Sequence, residues 1–225
     1  MSSTAVTTRD VERARPDRRG AILDAAAHVI SERGVDRARL ADIAEAAGVS
    51  LGLVQHYFRR RSALLVATFE RESERIASVW GTVISPESPP LHRLIGYLSL
   101  CTPVGSASAA RSFGPGWSFW MQMWSYAYRD AAVRSVVPGV YASFATPFAE
   151  AIAEGVELGE FAVDDISLVV DRLVSLIDGC AVRTVLGAMD GDRMTVLLID
   201  SLVHDLGLDD DQARAAWRLA QSGGK

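Results

Sequence analysis

Apolar residues recur every three to four positions along almost the whole chain, which is the spacing of one face of an α-helix. The first such segment covers 17–33 and ends before Gly34, a frequent stop signal for helices. No segment alternates apolar and polar residues for long enough to predict a strand. The pattern therefore predicts an all-α fold of about nine or ten helices, over 17–33, 40–47, 49–58, 62–84, 91–102, 117–129, 130–158, 165–189, 192–206 and 209–221.

Three features divide the chain around these helices. Residues 1–15 are polar and have no apolar period, so they are predicted to form a disordered arm. Ser62 is placed to cap the fourth helix, and Pro89 and Pro90 follow its end. A stretch rich in Gly, Ser and Ala, 103–116, predicts a loop ahead of an aromatic helix.

Charge is distributed unevenly along the chain. Its 23 basic and 28 acidic residues give a formal net charge of −5, which by itself argues against a nucleic-acid binder. Residues 1–62, however, contain 11 arginines and 8 acidic residues, a net charge of +3, and residues 63–225 carry −8. A basic end on an acidic body indicates that an anionic polymer binds at that end, with a chance imbalance as the alternative.

The sequence lacks the signals of several protein classes. Cys101 and Cys180 are the only cysteines, and the four histidines have no metal-ligand spacing, so we expect no disulfide framework, metal or cofactor. The N-terminal segment has no apolar core of a signal peptide, and Asp178, Arg183 and Asp200 interrupt the longest apolar stretches. We therefore expect a soluble cytoplasmic protein without membrane contact. Because no phosphate loop, GxSxG turn or nucleophile–base pair occurs, we expect no enzyme activity.

Residues 40–58, LADIAEAAGVSLGLVQHYF, have the features of two short helices that cross steeply. Ala44 is small enough for close approach, and Gly48 can adopt the left-handed conformation of the turn. Ser50 is placed to cap the second helix, while Val54 faces the neighbouring helices. This arrangement leaves an outer face available for the major groove of DNA, formed by Leu51, Leu53, Gln55 and His56.

With these elements the chain resembles the TetR family of bacterial transcriptional regulators. The resemblance is carried by RRGAILDAAAHVISERG, by DIAEAAGVS and by HYF, the last followed by a basic residue and Leu64. It implies a homodimeric repressor whose helix-turn-helix domain, 16–62, binds double-stranded palindromic operator DNA. Residues 63–225 would then form the domain that binds a small-molecule effector and the second subunit.

The resemblance also implies individual DNA contacts. Tyr57 and Arg61 fall where the family contacts phosphate, and Arg39 and Ser50 are suited to further phosphates. Gln55 replaces the usual tyrosine, and because glutamine can bond adenine we expect it to be the main base reader; a solvated helix residue is the alternative. Leucines replace polar residues nearby, so thymine methyl groups and DNA shape would carry part of the specificity. The predicted set is Arg39, Ser50, Leu51, Leu53, Gln55, His56, Tyr57 and Arg61.

Two late segments, 165–189 and 192–206, are apolar on more than one side, so each is expected to be buried on more than one side. One side can face the core of the subunit and the other a second copy, as the resemblance implies. A monomer with an unusually apolar core is the alternative. The residues predicted for dimerisation are Leu173, Leu176, Ile177, Leu198 and Leu202.

One predicted helix concentrates aromatic and methionine side chains, with Trp117, Trp120 and Trp124 on one face. GWSFWMQMW and LVSLIDGCAVRTVL resemble the C-terminal class that includes the choline-responsive repressor of betaine synthesis. The family position of the pocket implies the lining residues Trp80, Tyr97, Cys101, Trp117, Trp120, Met121, Trp124, Tyr141, Phe144 and Asp178. Such rings with one acid suit an organic cation or a flat apolar ligand. Ordinary core packing is the alternative, in which Asp178 pairs with Arg183 or caps a helix.

The resemblance, together with these patterns, implies a ligand-responsive transcriptional regulator that acts as a repressor. An effector in the body would tilt the fourth helix and move the two DNA-binding domains of the dimer off adjacent major grooves. Two alternatives stay open at this point. One is an activator, and the other is an all-α small-molecule-binding protein or enzyme with a vestigial helix-turn-helix.

Overall fold

The computed structural model describes residues 17–102 and 116–209, together with residues 211, 212, 214, 215 and 218. Within this part of the chain there are ten helices and no strand, which confirms the predicted all-α class. The arm 1–15, most of the loop 103–116 and much of the helix 209–221 lie outside the described residues. The helices are α1 (Arg18–Arg33), α2 (Leu40–Ala46), α3 (Leu51–Tyr57), α4 (Arg61–Val83), α5 (Pro90–Cys101), α6 (Trp117–Ala127), α7 (Ala131–Arg134), α8 (Val137–Glu157), α9 (Ile166–Val185) and α10 (Gly191–Asp205).

Side-chain caps explain where several helices begin. Asp17 accepts a hydrogen bond from the Gly20 amide at 2.8 Å, and aspartates cap α7, α9 and α10 in the same way. The Ser50 hydroxyl accepts from the Leu53 amide at 3.2 Å, so the predicted cap of α3 is confirmed. The predicted cap of α4 is wrong: α4 begins at Arg61, and Ser62 lies inside its first turn.

Helices α1, α2 and α3, called the head below, pack around a small core. Ile43 of α2 and Val54 of α3 are almost completely buried in this core, and Ala44 of α2 is buried as well. Gly48 has a φ of +64°, the left-handed conformation predicted for the turn between α2 and α3. Besides contacting α2, α1 packs against α4 and α6, so the head rests on two helices of the body.

The body consists of α4–α10, which pack in a single network of helix pairs. Helix α8 contacts α4, α5 and α9, while α9 also contacts α6 and α10. The predicted helix 130–158 is divided, because α7 ends at Arg134 and α8 begins at Val137. One cavity, described below, lies between four of these helices: α4, α6, α8 and α9.

Five residues of α9 and α10 were predicted to contact a second copy of the chain, and the prediction is wrong for four of them. Leu173, Ile177, Leu198 and Leu202 are buried to 99% or more within this subunit, so they cannot contact a second copy. Only Leu176 is half-buried. Both sides of these helices are apolar, and the apolar pattern alone does not tell which side turns inward. The large apolar side chains exposed on α9, α10 and the turn after α9 are Leu168, Val185, Leu186 and Val196.

One helical stretch, Ala131–Glu157, is long and apolar enough by length and composition to cross a membrane. Its most apolar window has a mean hydropathy of 1.2, and 17% of that window is buried. A single stretch of this kind is weak evidence, since core helices of ordinary globular proteins pass the same test. Its longer part, α8, packs against three other helices of the chain.

Candidate functional site

The outer face of α3 is the first candidate surface. Leu51 and Tyr57 are each 41% exposed, and Gln55 and His56 between them are exposed as well. Leu53 is half-buried, while Ser50 is exposed at the N-terminal end of the helix. The structure therefore brings the predicted DNA-contacting residues of α3 together on one accessible surface. Their contacts with DNA stay a prediction.

Exposed arginines flank α3. Arg39 precedes α2, and Arg59 and Arg60 connect α3 to α4. None of these three guanidinium groups forms an ion pair with an acidic residue in the described part of the chain. Arg59 and Arg60 were not among the predicted residues, although the run of three arginines after Phe58 was a signal for them. Unpaired guanidinium groups at this edge are suited to phosphate oxygens.

Arg61 differs from its neighbours, because its guanidinium is bound inside the protein. Its Nη1 donates to the carbonyl of Ala38 at 2.6 Å, and its Nη2 donates to the carbonyl of Val35. Both carbonyls belong to the loop between α1 and α2. The predicted phosphate contact of Arg61 would therefore compete with its hold on this loop.

The second candidate site is a cavity of about 510 Å³, including its mouth, between α4, α6, α8 and α9. Seven of the ten predicted lining residues border it: Trp80, Trp117, Trp120, Trp124, Tyr141, Phe144 and Asp178. Five further lining residues were not predicted, because small or aliphatic residues on a helix give no local signal for a cavity. They are Ser73, Ile76, Ala77, Val140 and Ser143.

The walls of the cavity are aromatic rings in mutual contact. The Trp124 and Tyr141 rings are stacked, with centroids 6.2 Å apart and planes at 10°. Trp124 also lies 6.1 Å from Trp117 and 6.5 Å from Trp120, measured between ring centroids. Trp80 closes the α4 side and lies 5.2 Å from Phe144. A cation that lies over the face of such a ring is attracted by its π-electron density.

One polar pair lies in this aromatic surface. The Tyr141 hydroxyl donates a hydrogen bond of 2.6 Å to Oδ2 of Asp178. Asp178 is thus paired with Tyr141, not with Arg183. Burial raises the pKa of Asp178, and the hydrogen bond from Tyr141 opposes part of that rise. Burial and the adjacent carboxylate also raise the pKa of Tyr141, so its hydroxyl stays protonated and can donate.

Two indole N–H groups of the cavity residues are buried without an acceptor among the described residues. They belong to Trp80 on α4 and to Trp124 on α6. Buried donors usually have an acceptor, so these two N–H groups differ from those of an ordinary core.

Three predicted lining residues lie elsewhere. Tyr97 stacks behind Trp80 at a centroid distance of 5.1 Å and supports that ring from outside the cavity. Cys101 is completely buried, which raises the pKa of its thiol, and its carbonyl accepts from the Trp117 indole at 3.3 Å. Met121 is half-buried on α6 and is also absent from the lining. The sequence places these residues on the correct helices but does not resolve which side faces the cavity.

No group of three or more His, Cys, Asp or Glu residues within the described ranges could hold a metal ion. The chemistry of the cavity is therefore that of aromatic rings, one carboxylate and a few hydrogen-bond donors.

Comparison with known families agrees with this geometry. The profile of bacterial regulatory proteins of the tetR family matches residues 22–68, and the profile of the BetI-type transcriptional repressor C-terminal region matches residues 110–208. The chain belongs to the TetR family. It is therefore a transcriptional regulator whose helix-turn-helix is α2 and α3.

Relatives of this TetR-family chain support the same assignment. The HTH-type transcriptional regulator BetI of Ectopseudomonas mendocina is 24% identical over 198 residues, covering 85% of this chain and 92% of the relative. BetI of Paraburkholderia phymatum is 26% identical over 203 residues, covering 85% and 91%. In BetI of Klebsiella pneumoniae the identity is 44% over 54 residues, covering 24% of this chain and 28% of the relative.

Solved structures show the same fold. A TetR-family regulator from a Rhodococcus species has a TM-score of 0.72 at 23% identity, covering 84% of this chain and 99% of the other. A transcriptional regulator from Saccharomonospora viridis, solved in complex with choline, has a TM-score of 0.71 at 24% identity, covering 85% and 98%.

Proposed function

We propose that this regulator is a homodimeric repressor that leaves its operator when an organic cation enters the cavity. Residues 16–62 would be its DNA-binding domain and residues 63–225 its effector-binding and dimerisation domain. The observation that carries the effector class is the aromatic lining with one carboxylate, Asp178. None of the lining residues identified in the described ranges is basic, so the local field favours a positive ligand.

Asp178 is suited to stabilise such a cation. Its Oδ2 accepts from Tyr141, and burial makes the charged form costly when the cavity is empty. A cation near this carboxylate would remove that cost, so binding would be favoured by both the rings and the charge. The choline complex of the Saccharomonospora viridis regulator supports this class of ligand for a cavity in the same fold.

The proposed dimer surface is the outer side of α9 and α10. Leu168 and Leu186 are 52% and 69% exposed there, and both are large apolar side chains. Ser175 and Gly179 are exposed between them on α9, and the small side chains would allow another helix to approach closely. A two-fold axis at this surface would bring two heads to successive major grooves, about 34–36 Å apart. A bacterial chromosome lies in the cytoplasm, so the protein would act there.

The test is fluorescence anisotropy of a labelled duplex from the DNA upstream of the gene for this protein. We expect salt-dependent binding and release by choline, but not by 3,3-dimethylbutan-1-ol, which has the same shape without the charge. The variant Asp178→Asn should keep DNA binding and lose the preference for the cation. Release by neutral aromatic compounds and not by cations would replace the proposed effector with a flat apolar one. Absence of DNA binding would contradict the repressor function.

A further inference from the structure

The loop between α1 and α2 is held from both sides by helices that also line the cavity. Oε1 of Gln122, on α6, accepts a hydrogen bond from the Val35 amide at 3.2 Å. Arg61, the first residue of α4, donates to the carbonyl of the same Val35. Val35 itself is 1% exposed, so both bonds lie next to the core of the head.

Gln122 lies on the side of α6 away from the cavity. Trp120 and Trp124 precede and follow it by two residues, and with 3.6 residues per turn this places Gln122 roughly opposite both of them. Helix α6 is therefore a layer with the cavity on one side and the head on the other, and α1 packs directly against it.

The side-chain amide of Gln122 is closely packed against the α1–α2 loop. Gly34 has a φ of +81°, and a Cβ at this position would lie 3.3 Å from Oε1 of Gln122. The amide oxygen is thus fitted against the backbone of residues 34 and 35. This loop leads directly into α2, and α2 in turn positions the recognition helix α3.

We infer that Gln122 is a positioning residue that transmits occupancy of the cavity to the head through the Val35 amide. The inference rests on the proposed function, because it assigns a route between the two proposed sites. A ligand between Trp80 and the α6 tryptophans would separate α4 from α6. Arg61 of α4 binds the carbonyl of Val35, and Gln122 of α6 binds its amide. A change in the separation of α4 and α6 would therefore act directly on the α1–α2 loop.

Hydrogen–deuterium exchange of the full chain, measured without ligand, tests this route. Trp124→Phe, with Trp124→Ala as a stronger change, alters the cavity side of α6 and should speed amide exchange in residues 34–38 by about threefold or more. In a Gln122→Leu background the same changes should add less than about 1.5-fold, because the bond to Val35 is already absent. Equal acceleration in both backgrounds would overturn the inference.

A second experiment measures how strongly the duplex and the cation probe choline affect each other's affinity. Reciprocal coupling of about 5- to 150-fold is typical of allosteric proteins. Gln122→Leu should reduce the wild-type factor to below about threefold while each affinity alone changes less than about threefold. Gln122→Glu retains an acceptor oxygen and should keep the coupling. Arg129→Ala, which removes an exposed 3.1 Å ion pair with Asp36 on the same loop, should also keep it.

These experiments separate the inference from the proposed function. If the wild-type protein shows coupling that survives Gln122→Leu, the inference is wrong and the proposed function stands. If the wild-type protein binds neither DNA nor choline but shows the Gln122-dependent exchange effect, the proposed function is wrong and the route through Val35 stands.

Discussion

The head and the cavity differ in how much of the molecule holds them in place. Helix α3 has seven residues, of which only Val54 is buried, and its partner α2 buries only Ile43 and Ala44. The cavity, by contrast, is bordered by four helices, the shortest of which has 11 residues, and its rings pack on one another. The recognition helix is therefore the easier of the two to displace. Under the proposed route, a small shift between α4 and α6 would reach α2 and α3 through the α1–α2 loop, and these two short helices bury only three side chains of their own.

Removal of core volume from the head alone should separate the behaviour of the head from that of the cavity most clearly. Ile43→Ala should lower the free energy of unfolding by about 2–5 kcal/mol, because Ile43 is 1% exposed and its removal leaves a cavity. We expect operator binding to be lost while choline still changes the tryptophan fluorescence. Urea denaturation, anisotropy and fluorescence titration measure the three quantities.

The matched control for this change is Ile152→Ala on α8, which removes the same volume from the completely buried core of the body. Ile152→Ala should lower both the affinity for choline and the free energy of unfolding. If Ile43→Ala abolished choline binding to the same extent as Ile152→Ala, the head and the cavity would fold as one unit and the comparison would fail.

On the head, base reading and phosphate binding should be separable. Gln55 is exposed in the middle of α3, so Gln55→Ala should cost about 1–3 kcal/mol at one base pair and relax the preference there. Arg60→Ala should weaken every duplex equally and reduce the slope of log affinity against log salt by about 0.9. Titrations of operator variants at several salt concentrations measure both effects. An equal loss on all sequences for Gln55→Ala would remove its role as base reader.

In the cavity, the charge on Asp178 should make the affinity for choline depend on pH. The raised pKa of Asp178 means that the carboxyl is protonated at a higher pH than the ordinary value of about 3.9. Choline affinity should therefore fall as the pH is lowered through this range, since protonation removes the negative charge. Asp178→Asn should lower the affinity about tenfold at pH 7, or about 1.4 kcal/mol, and abolish the pH dependence. Isothermal titration between pH 4 and 8 measures it.

The empty protein should show the opposite trend in stability. Burial favours the neutral form of Asp178, so ionising it opposes folding, and this cost appears as the pH rises from the unfolded-state pKa through the raised folded-state pKa. Asp178→Asn should remove that decrease. An unchanged pH profile in both the binding and the stability measurements would exclude Asp178 from the cation site.

The sequence was more informative about the head than about the cavity, for a physical reason. A helix-turn-helix is local, since Ala44, Gly48 and Ser50 lie within ten residues of one another. The left-handed turn at Gly48 and the cap by Ser50 are confirmed, and Ala44 is buried. The cavity joins four helices that are distant along the chain. Periodicity places Trp120 and Asp178 on helices, but the facing of each helix depends on long-range packing.

The positions of Arg61 and of the predicted dimer residues depend on contacts between distant parts of the chain. The binding of Arg61 to two carbonyls of the α1–α2 loop is a contact across more than 20 residues, and no local pattern encodes it. Leu173 and Leu202 were assigned to an interface because α9 and α10 are apolar on two sides, yet both face the core of the subunit. In each case the side chain has the chemistry expected of it, but the sequence does not determine which neighbours that side chain contacts.

Besides the two hydrogen bonds from Arg61, α4 contacts the head through an exposed ion pair, for which we expect a weaker effect. Arg71 contacts Asp24 of α1 through Nε at 2.6 Å and Nη2 at 3.0 Å, but both side chains are substantially exposed. Arg71→Met keeps much of the aliphatic stem and removes the charge, so it should cost less than about 1 kcal/mol and still less at high salt. A double-mutant cycle with Asp24→Ala, measured by urea denaturation at two salt concentrations, isolates the pair. A coupling energy well above 1 kcal/mol would mean that this exposed ion pair stabilises the contact of α4 with the head more than the hydrogen bonds from Arg61 to Val35 and Ala38 do.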